Sequence, residues 1–211
     1  IRGNMTTSQR QKAEGYLAHK WGTALGSSHP WTASSPYLDE GLGADISLFW
    51  GSTDGGTTVS AWNKKAIGKK KPNLSLWLDA SELTTAGSTW TDKSGNANHA
   101  TKNGSPTVIA NIQNGNSVMR YTGTNNADYH EWNDLVNIRT VFWVVRANPN
   151  NAGFMLGDDN VYKFHTSSGN SSANFWHSSH ANFAAGGTTR LNGTQIVGTS
   201  TNMNQSLSSM S

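Results

Sequence analysis

Residues 74–101, LSLWLDASELTTAGSTWTDKSGNANHAT, decide the fold that we predict for this chain. The stretch opens with leucines at every second position, a period of two that is typical of a β-strand with one apolar face. These residues are Leu74, Leu76 and Leu78. We therefore expect a strand here, ended by the polar residues that begin at Asp79.

A polar turn, residues 91–98, follows Trp90, and we expect the chain to resume as a strand at His99. Gly95 and Asn96 are expected to supply positive φ angles in this turn. Short polar side chains in the same segment are placed to bond neighbouring backbone N–H groups. They are Asp92, Ser94 and Asn98.

Two motifs carry a resemblance to a known family. LWLDAS, followed by W-x-D-x-SGN-x-NHAT at residues 90–101, resembles the opening strands of concanavalin A-like lectin/glucanase domains of the laminin G-like kind, as found in marine bacterial and phage proteins. Residues 8–22, SQRQKAEGYLAHKWG, resemble the helix that ends such a domain. Here the ending element precedes the opening element. The resemblance implies an antiparallel β-sandwich, or jelly roll.

The composition agrees with an all-β class. Among 211 residues, Gly, Ser, Thr and Asn are abundant, charged residues make up 14%, and nine are Trp. The absence of cysteine excludes disulfides and cysteine-based zinc sites. No apolar run reaches the length of a membrane span, so we expect no membrane insertion. The chain opens at Ile1 without a signal-like segment, and we expect it to be a piece of a longer polypeptide.

The formal charge of +3 comes from one short run of lysines within residues 64–71. Without that run the chain would carry a net negative charge. A nucleic-acid groove needs basic residues spread over a folded face, so we predict a solvated linker and no nucleic-acid partner. The alternative is attraction to an acidic neighbour, such as lipopolysaccharide or another subunit.

An amphipathic helix is predicted over residues 8–21. Apolar residues recur every fourth position, and Ser8 and Gln11 have the spacing of a capping box. Gly22 is placed to end the helix. The apolar stripe is formed by Ala13, Leu17 and Trp21. We therefore expect Trp21 to be buried.

We predict that the chain is organised in three segments. Residues 1–45 are interpreted as the end of a preceding lectin-like domain, 46–72 as a β-hairpin and Lys-rich linker, and 73–211 as a sandwich that is incomplete at its C-terminus. Two explanations fit this order. Either the chain is a window cut from a tandem array, which we favour, or the helix packs on 73–211 in place of an absent closing helix.

Short strands at sandwich-like spacing are predicted along the rest of the chain. They lie near residues 117–122, 138–147, 153–157, 161–165, 173–177 and 194–199. The strand at 138–147 is apolar on both faces, which favours the centre of a covered sheet.

A glucanase would need two carboxylates flanking the scissile bond. Glu131 and Asp134 are the nearest approach to a pair, but their spacing puts them on opposite faces of a strand. We therefore predict that the chain is not an enzyme.

Calcium is the one cofactor that the resemblance suggests, since lectin-like sandwiches often carry it at a sheet edge. The candidate ligands are Asp79, Asp92 and Asn96, with Asp158 and Asp159 as an alternative group. The opposing interpretation is that the residues of the turn satisfy only their own loop.

Glycan binding requires aromatic rings beside amide and carboxylate groups. Two segments have this mixture, 129–134 and 174–177. The candidate ligand-binding residues are Tyr129, Trp132, His177 and Asn182.

These observations predict a non-catalytic adhesion or carbohydrate-binding module of a larger repeat-containing surface or virion protein. Its partners would be a glycan or cell-surface polysaccharide and neighbouring copies, at an extracellular, cell-surface or virion-surface location. The alternative is a purely structural repeat of a phage fibre, capsid decoration or extracellular filament. A glucanase-like glycoside hydrolase ranks third.

Overall fold

The structure is a computed structural model of the chain. The described residues are 5–36, 74–122, 127–136, 138–146, 156, 174–177, 187–202 and 208–210. Within them the chain is β-rich, with small antiparallel sheets and one helix. It divides into two compact units. Unit 1 comprises Ile1–Arg10, Lys20–Gly22 and Ser34–Thr140, and unit 2 comprises Gln11–His19, Thr23–Ala33 and Val141–Ser211.

Helix α1 spans Thr7–Trp21, which confirms the predicted helix. Its capping box is formed by Thr6 and Gln9, two residues before the predicted pair. The Thr6 hydroxyl accepts the Gln9 N–H at 3.2 Å, and the Gln9 side chain accepts the Thr6 N–H at 2.9 Å. This exchange satisfies two of the N–H groups that a helix start leaves without partners.

The helix ends at Gly22 as predicted. Gly22 has a φ of 65°, and the Thr23 N–H donates to the Ala18 carbonyl at 2.9 Å. This six-residue closure is a Schellman motif, which needs a residue in the left-handed region. Trp21 is 8% exposed, so its predicted burial is confirmed.

The described residues of unit 1 form two antiparallel sheets. The first has the order β1 (Thr89–Trp90), β2 (Ala100–Asn103), β5 (Tyr129–Glu131). The second is the hairpin of β3 (Thr107–Gln113) and β4 (Asn116–Arg120). Asn114 and Gly115 join its strands, both with positive φ, as a type I′ turn requires.

Unit 2 contains a four-stranded sheet in the order β6 (Trp143–Val145), β9 (Ser208–Met210), β7 (Thr189–Leu191), β8 (Thr194–Ile196). All pairings are antiparallel. A second Asn-Gly turn, Asn192 and Gly193 with positive φ, joins β7 to β8.

The predicted strand at residues 74–79 is wrong, because this segment has no strand pairing. Ser75 and Asp79 are buried together with Leu74, so the alternating leucines do not define one apolar face. The predicted positive φ is correct at Gly95 but wrong at Asn96. The residue that adopts it is Ala97, with a φ of 59°. The strand that follows starts at Ala100, one residue after the predicted start.

The predicted strand at 138–147 is shorter than expected, and among the described strands β6 is the outer one of its sheet. Its predicted place in the centre of a covered sheet stays a prediction. At 173–177, Asn174 forms one isolated bridge to Asn202 and no strand follows. Strand β4 agrees with the prediction at 117–122, and β8 agrees with the first part of 194–199. The predicted strands at 153–157 and 161–165 and the hairpin within 46–72 lie outside the described residues.

The core of each unit mixes apolar and polar side chains. In unit 1, Leu74, Ala80 and Ala100 are buried beside polar residues. These polar residues are Ser75, Asp79, Asp92, Ser94 and Ser117. Burial of polar groups is tolerated only where hydrogen bonds compensate the lost hydration. In the described part of the chain, no helix combines the length and apolar character needed to span a bilayer.

Candidate functional site

The polar turn at 91–98 is organised around one carboxylate. Asp92 Oδ1 accepts the backbone N–H groups of Trp77 at 2.9 Å and Ser94 at 2.8 Å. Its Oδ2 accepts the Ser94 hydroxyl at 2.6 Å and the Asn98 N–H at 3.0 Å. Asp92 is 5% exposed, so these four donors replace its hydration.

The same turn holds residues 74–77. Asn96 and Asn98 donate their side-chain amides to the carbonyls of Leu74 and Ser75, and the Lys93 N–H donates to the Trp77 carbonyl. Side chains thus do what a partner strand would do, which is why an extended apolar segment exists without strand pairing.

Asp79 lies between two ammonium groups of unit 1. Lys20 Nζ is 2.7 Å from its Oδ2, and Lys93 Nζ is 3.4 Å away and also 3.0 Å from Glu82. Burial raises the pKa of Asp79, but the charges of Lys20 and Lys93 and the hydrogen bonds outweigh it. The pKa therefore lies below its ordinary value of 3.8.

The three candidate calcium ligands are engaged with other groups. Asp79 is neutralised by lysines, Asp92 is surrounded by N–H and O–H donors, and Asn96 uses its amide nitrogen on Leu74. A cation site needs converging oxygens rather than converging donors. The described residues contain no group of three or more His, Asp or Glu side chains suited to a metal. The alternative pair, Asp158 and Asp159, lies outside them.

One face of the three-stranded sheet is largely exposed, with Asn103 half-buried at one end of it. The register pairs Thr89 with Thr101 and Thr101 with Glu131, so these three side chains form a row across β1, β2 and β5. A second row pairs Asn103 with Tyr129, two residues further along. Since alternate residues of a strand share a face, all five side chains lie on one side of the sheet.

The groups on this face, which we call the β2–β5 face, suit a hydroxyl-rich ligand. Tyr129 is 46% exposed, and the exposed Glu131 carboxylate has no hydrogen bond or ion pair to the described part of the chain. Asn103 Nδ2 is buried and has no partner among the described residues. An aromatic ring, a carboxylate, threonine hydroxyls and a half-buried amide therefore lie within two rows of one sheet.

The opposite face carries an aromatic cluster. Trp90 and His130 meet edge to face with ring centroids 5.4 Å apart, and the Tyr121 hydroxyl is 2.9 Å from His130 Nδ1. Burial, and then the charge of Lys102, lower the pKa of His130. Desolvation by the neighbouring rings and chain also raises the pKa of Tyr121 to about 12, although 46% of the residue's surface is exposed. These rings are held by one another, so the cluster stabilises the sheet.

Unit 2 contains a buried pair that the sequence analysis missed. Glu14 and His29 are 2% and 6% exposed, and His29 Nε2 is 3.1 Å from Glu14 Oε2. The Trp31 N–H points at His29 Nδ1 at 3.3 Å, which makes Nε2 the nitrogen that donates to Glu14. Glu14 is the residue after Ala13, which belongs to the predicted apolar stripe. This position beside the stripe was the available signal that Glu14 would be buried.

The predicted ligand-binding residues are divided between the units. Tyr129 lies on the β2–β5 face, and Trp132 follows β5 and is half-buried. His177 belongs to unit 2 and is half-buried, and Asn182 lies outside the described residues. A single site made by all four stays a prediction. The face adds residues that sequence reasoning did not nominate: Thr89, Thr101, Asn103 and Glu131.

Comparisons with known proteins give no relative. No protein-family model matches the chain, and neither the curated proteins nor the solved structures contain a match.

Proposed function

We propose that this chain is a non-catalytic adhesion module that binds a saccharide on its β2–β5 face. It would act within a larger repeat-containing protein on a cell or virion surface. The concanavalin A-like sandwich is part of this proposal, and the small antiparallel sheets support it.

The observation that carries the proposal is the pairing of Tyr129 with Asn103 beside the row that ends in Glu131. Sugar rings place their C–H faces on aromatic rings, while their hydroxyls need planar donors and acceptors nearby. Neighbouring strands are about 4.8 Å apart and alternate residues of a strand about 6.8 Å apart. The two rows therefore cover an area comparable to one or two sugar rings.

Binding rather than hydrolysis is favoured by the position of the acidic residues. Glu131 belongs to β5, whereas Asp134 lies beyond the end of that strand. We expect no release of reducing sugar from any polysaccharide that the chain retains. Time-dependent release that depends on Glu131 would instead support the hydrolase that ranks third.

The test uses two tyrosines of equal exposure. Tyr129 and Tyr121 are both 46% exposed, but Tyr121 contacts His130 on the opposite face. In affinity electrophoresis through gels that contain a panel of polysaccharides, Tyr129→Ala should abolish retardation. Tyr121→Ala should preserve retardation in the fraction that remains folded by circular dichroism. Retardation lost equally in both variants, or absent from the parent chain, contradicts the proposal.

The structural-repeat alternative is supported by the exposed apolar side chains of Ile112 and Val136 in unit 1 and Val197 in unit 2. Single exposed apolar residues are ordinary, so this support is weaker. As a structural repeat the chain would self-associate and would bind no glycan. The substitutions Ile112→Ser and Val197→Ser would each weaken this self-association. Analytical ultracentrifugation over a range of concentrations separates the two functions.

A further inference from the structure

We infer that the saccharide bound by the β2–β5 face is neutral, and that Glu131 discriminates against acidic sugars. This inference rests on the proposed function, because it names the ligand class of the same face.

The charge on the face carries the argument. Of the five side chains that the register places there, four are uncharged and Glu131 is anionic. Lys102 belongs to the same sheet, but the strand register places it beside His130 on the opposite face. Its Nζ donates to the Ala86 carbonyl at 3.3 Å. Lys93 is engaged by Asp79 and Glu82. Among the five side chains of the face, Glu131 is therefore the one that brings a charge beside Tyr129.

The chemistry of a carboxylate sets the preference. An ionised carboxylate only accepts hydrogen bonds, and its two oxygens can accept from two adjacent hydroxyl groups of one sugar ring. The hydroxyls of Thr89 and Thr101, in the same row as Glu131, can donate to a ring or hydroxyl oxygen of the sugar. A uronate or sulfate ester in the same position would place a second anion against Glu131, and like charges disfavour binding.

The size of this discrimination is limited by solvent. Glu131 is exposed, and charge interactions at exposed positions are weakened by water and salt. We expect neutral polysaccharides to bind about three- to tenfold more tightly than acidic ones with the same backbone, and the ratio to shrink at high salt.

The experiment measures retention of the full chain on immobilised polysaccharides chosen as neutral and acidic pairs. Polygalacturonate is compared with its fully methyl-esterified form, and dextran sulfate with dextran, beside neutral mannan and galactan. Glu131→Lys reverses the charge of the face and should shift the preference toward the acidic member of a pair. Asp134→Lys makes the same charge change three residues away, at an exposed position outside β5, and should leave the preference unchanged.

The lysine run within 64–71 needs its own control, because it could attract polyanions. A variant with Gln at Lys69, Lys70 and Lys71 should keep the neutral preference. Preference of the parent chain for acidic members, or equal shifts from Glu131→Lys and Asp134→Lys, overturns the inference and leaves the proposed function standing. Retention on none of the polysaccharides overturns the proposed function itself.

Discussion

Asp92 is the residue on which the turn depends most. Its four donors require two acceptor oxygens, and an asparagine would turn an amide N–H₂ toward N–H and O–H donors. Asp92→Asn should therefore lower the free energy of unfolding by about 2–3 kcal/mol. Urea denaturation measures the change. Asp134→Asn, at an exposed position, should change it by less than about 0.5 kcal/mol, and equal effects would contradict the assignment.

Asp79 makes stability depend on acid pH. Because its folded pKa lies below its ordinary value of 3.8, the unfolded chain binds the proton first. The stabilisation that the ionised Asp79 contributes is therefore fully present above a pH of about 3.8, and it is lost as the pH falls through the pKa of the folded state. Asp79→Asn should be less stable than the parent at neutral pH by about 1–2 kcal/mol, since its lysine partners are partly exposed.

Thermal melts at a series of pH values test this prediction. The difference between parent and Asp79→Asn should narrow as the pH is lowered below about 4. Glu82→Gln serves as the control, because Glu82 contacts the same Lys93 but is about half exposed. A difference that does not change with pH would show that the charge of Asp79 is unimportant.

At the scale of elements, the end of helix α1 is held by the β3–β4 hairpin. Gln113 donates to the Trp21 carbonyl at 2.6 Å, and Asn114 and Asn116 donate to the Lys20 carbonyl at 3.0 and 2.8 Å. These are carbonyls that a helix end leaves without partners. The contact therefore joins the end of the helix to a hairpin that lies far from it along the chain.

Gly22 permits this arrangement. Gly22→Ala places a Cβ at a φ of 65° and 3.3 Å from the Asn114 Cβ, and we expect a loss of about 1–2 kcal/mol. Gly187→Ala is the control, because its Cβ would meet no atom of the described residues within 4 Å. Differential scanning calorimetry should show a lowered melting temperature for Gly22→Ala alone.

The helix was predictable because its apolar period and closing glycine are local signals. The lack of strand pairing at 74–79 was not predictable, because the alternation of Leu74, Leu76 and Leu78 contains no information about which groups bond the backbone. Side chains of the 91–98 turn take that role. The Asn-Gly pairs at 114–115 and 192–193 are hairpin signals in the sequence, but strands β3 and β7 were not predicted.

At the scale of the whole molecule, the candidate site was predictable in part. Tyr129 and its segment stand out because aromatic side chains are mixed there with amide and carboxylate side chains. Thr89 and Thr101 lie on the same face but far from Glu131 along the chain. Only the strand register brings them beside it. A register shift of one residue would have put His130 on this face instead.

The most direct test of the binding face is an NMR titration with an oligosaccharide prepared from a polysaccharide that the chain retains. The ring protons of Tyr129 and the methyl group of Thr101 should shift on addition of the oligosaccharide, while the ring protons of Tyr121 stay in place. Shifts confined to Tyr121, Trp90 and His130 would place the ligand on the opposite face and contradict the account.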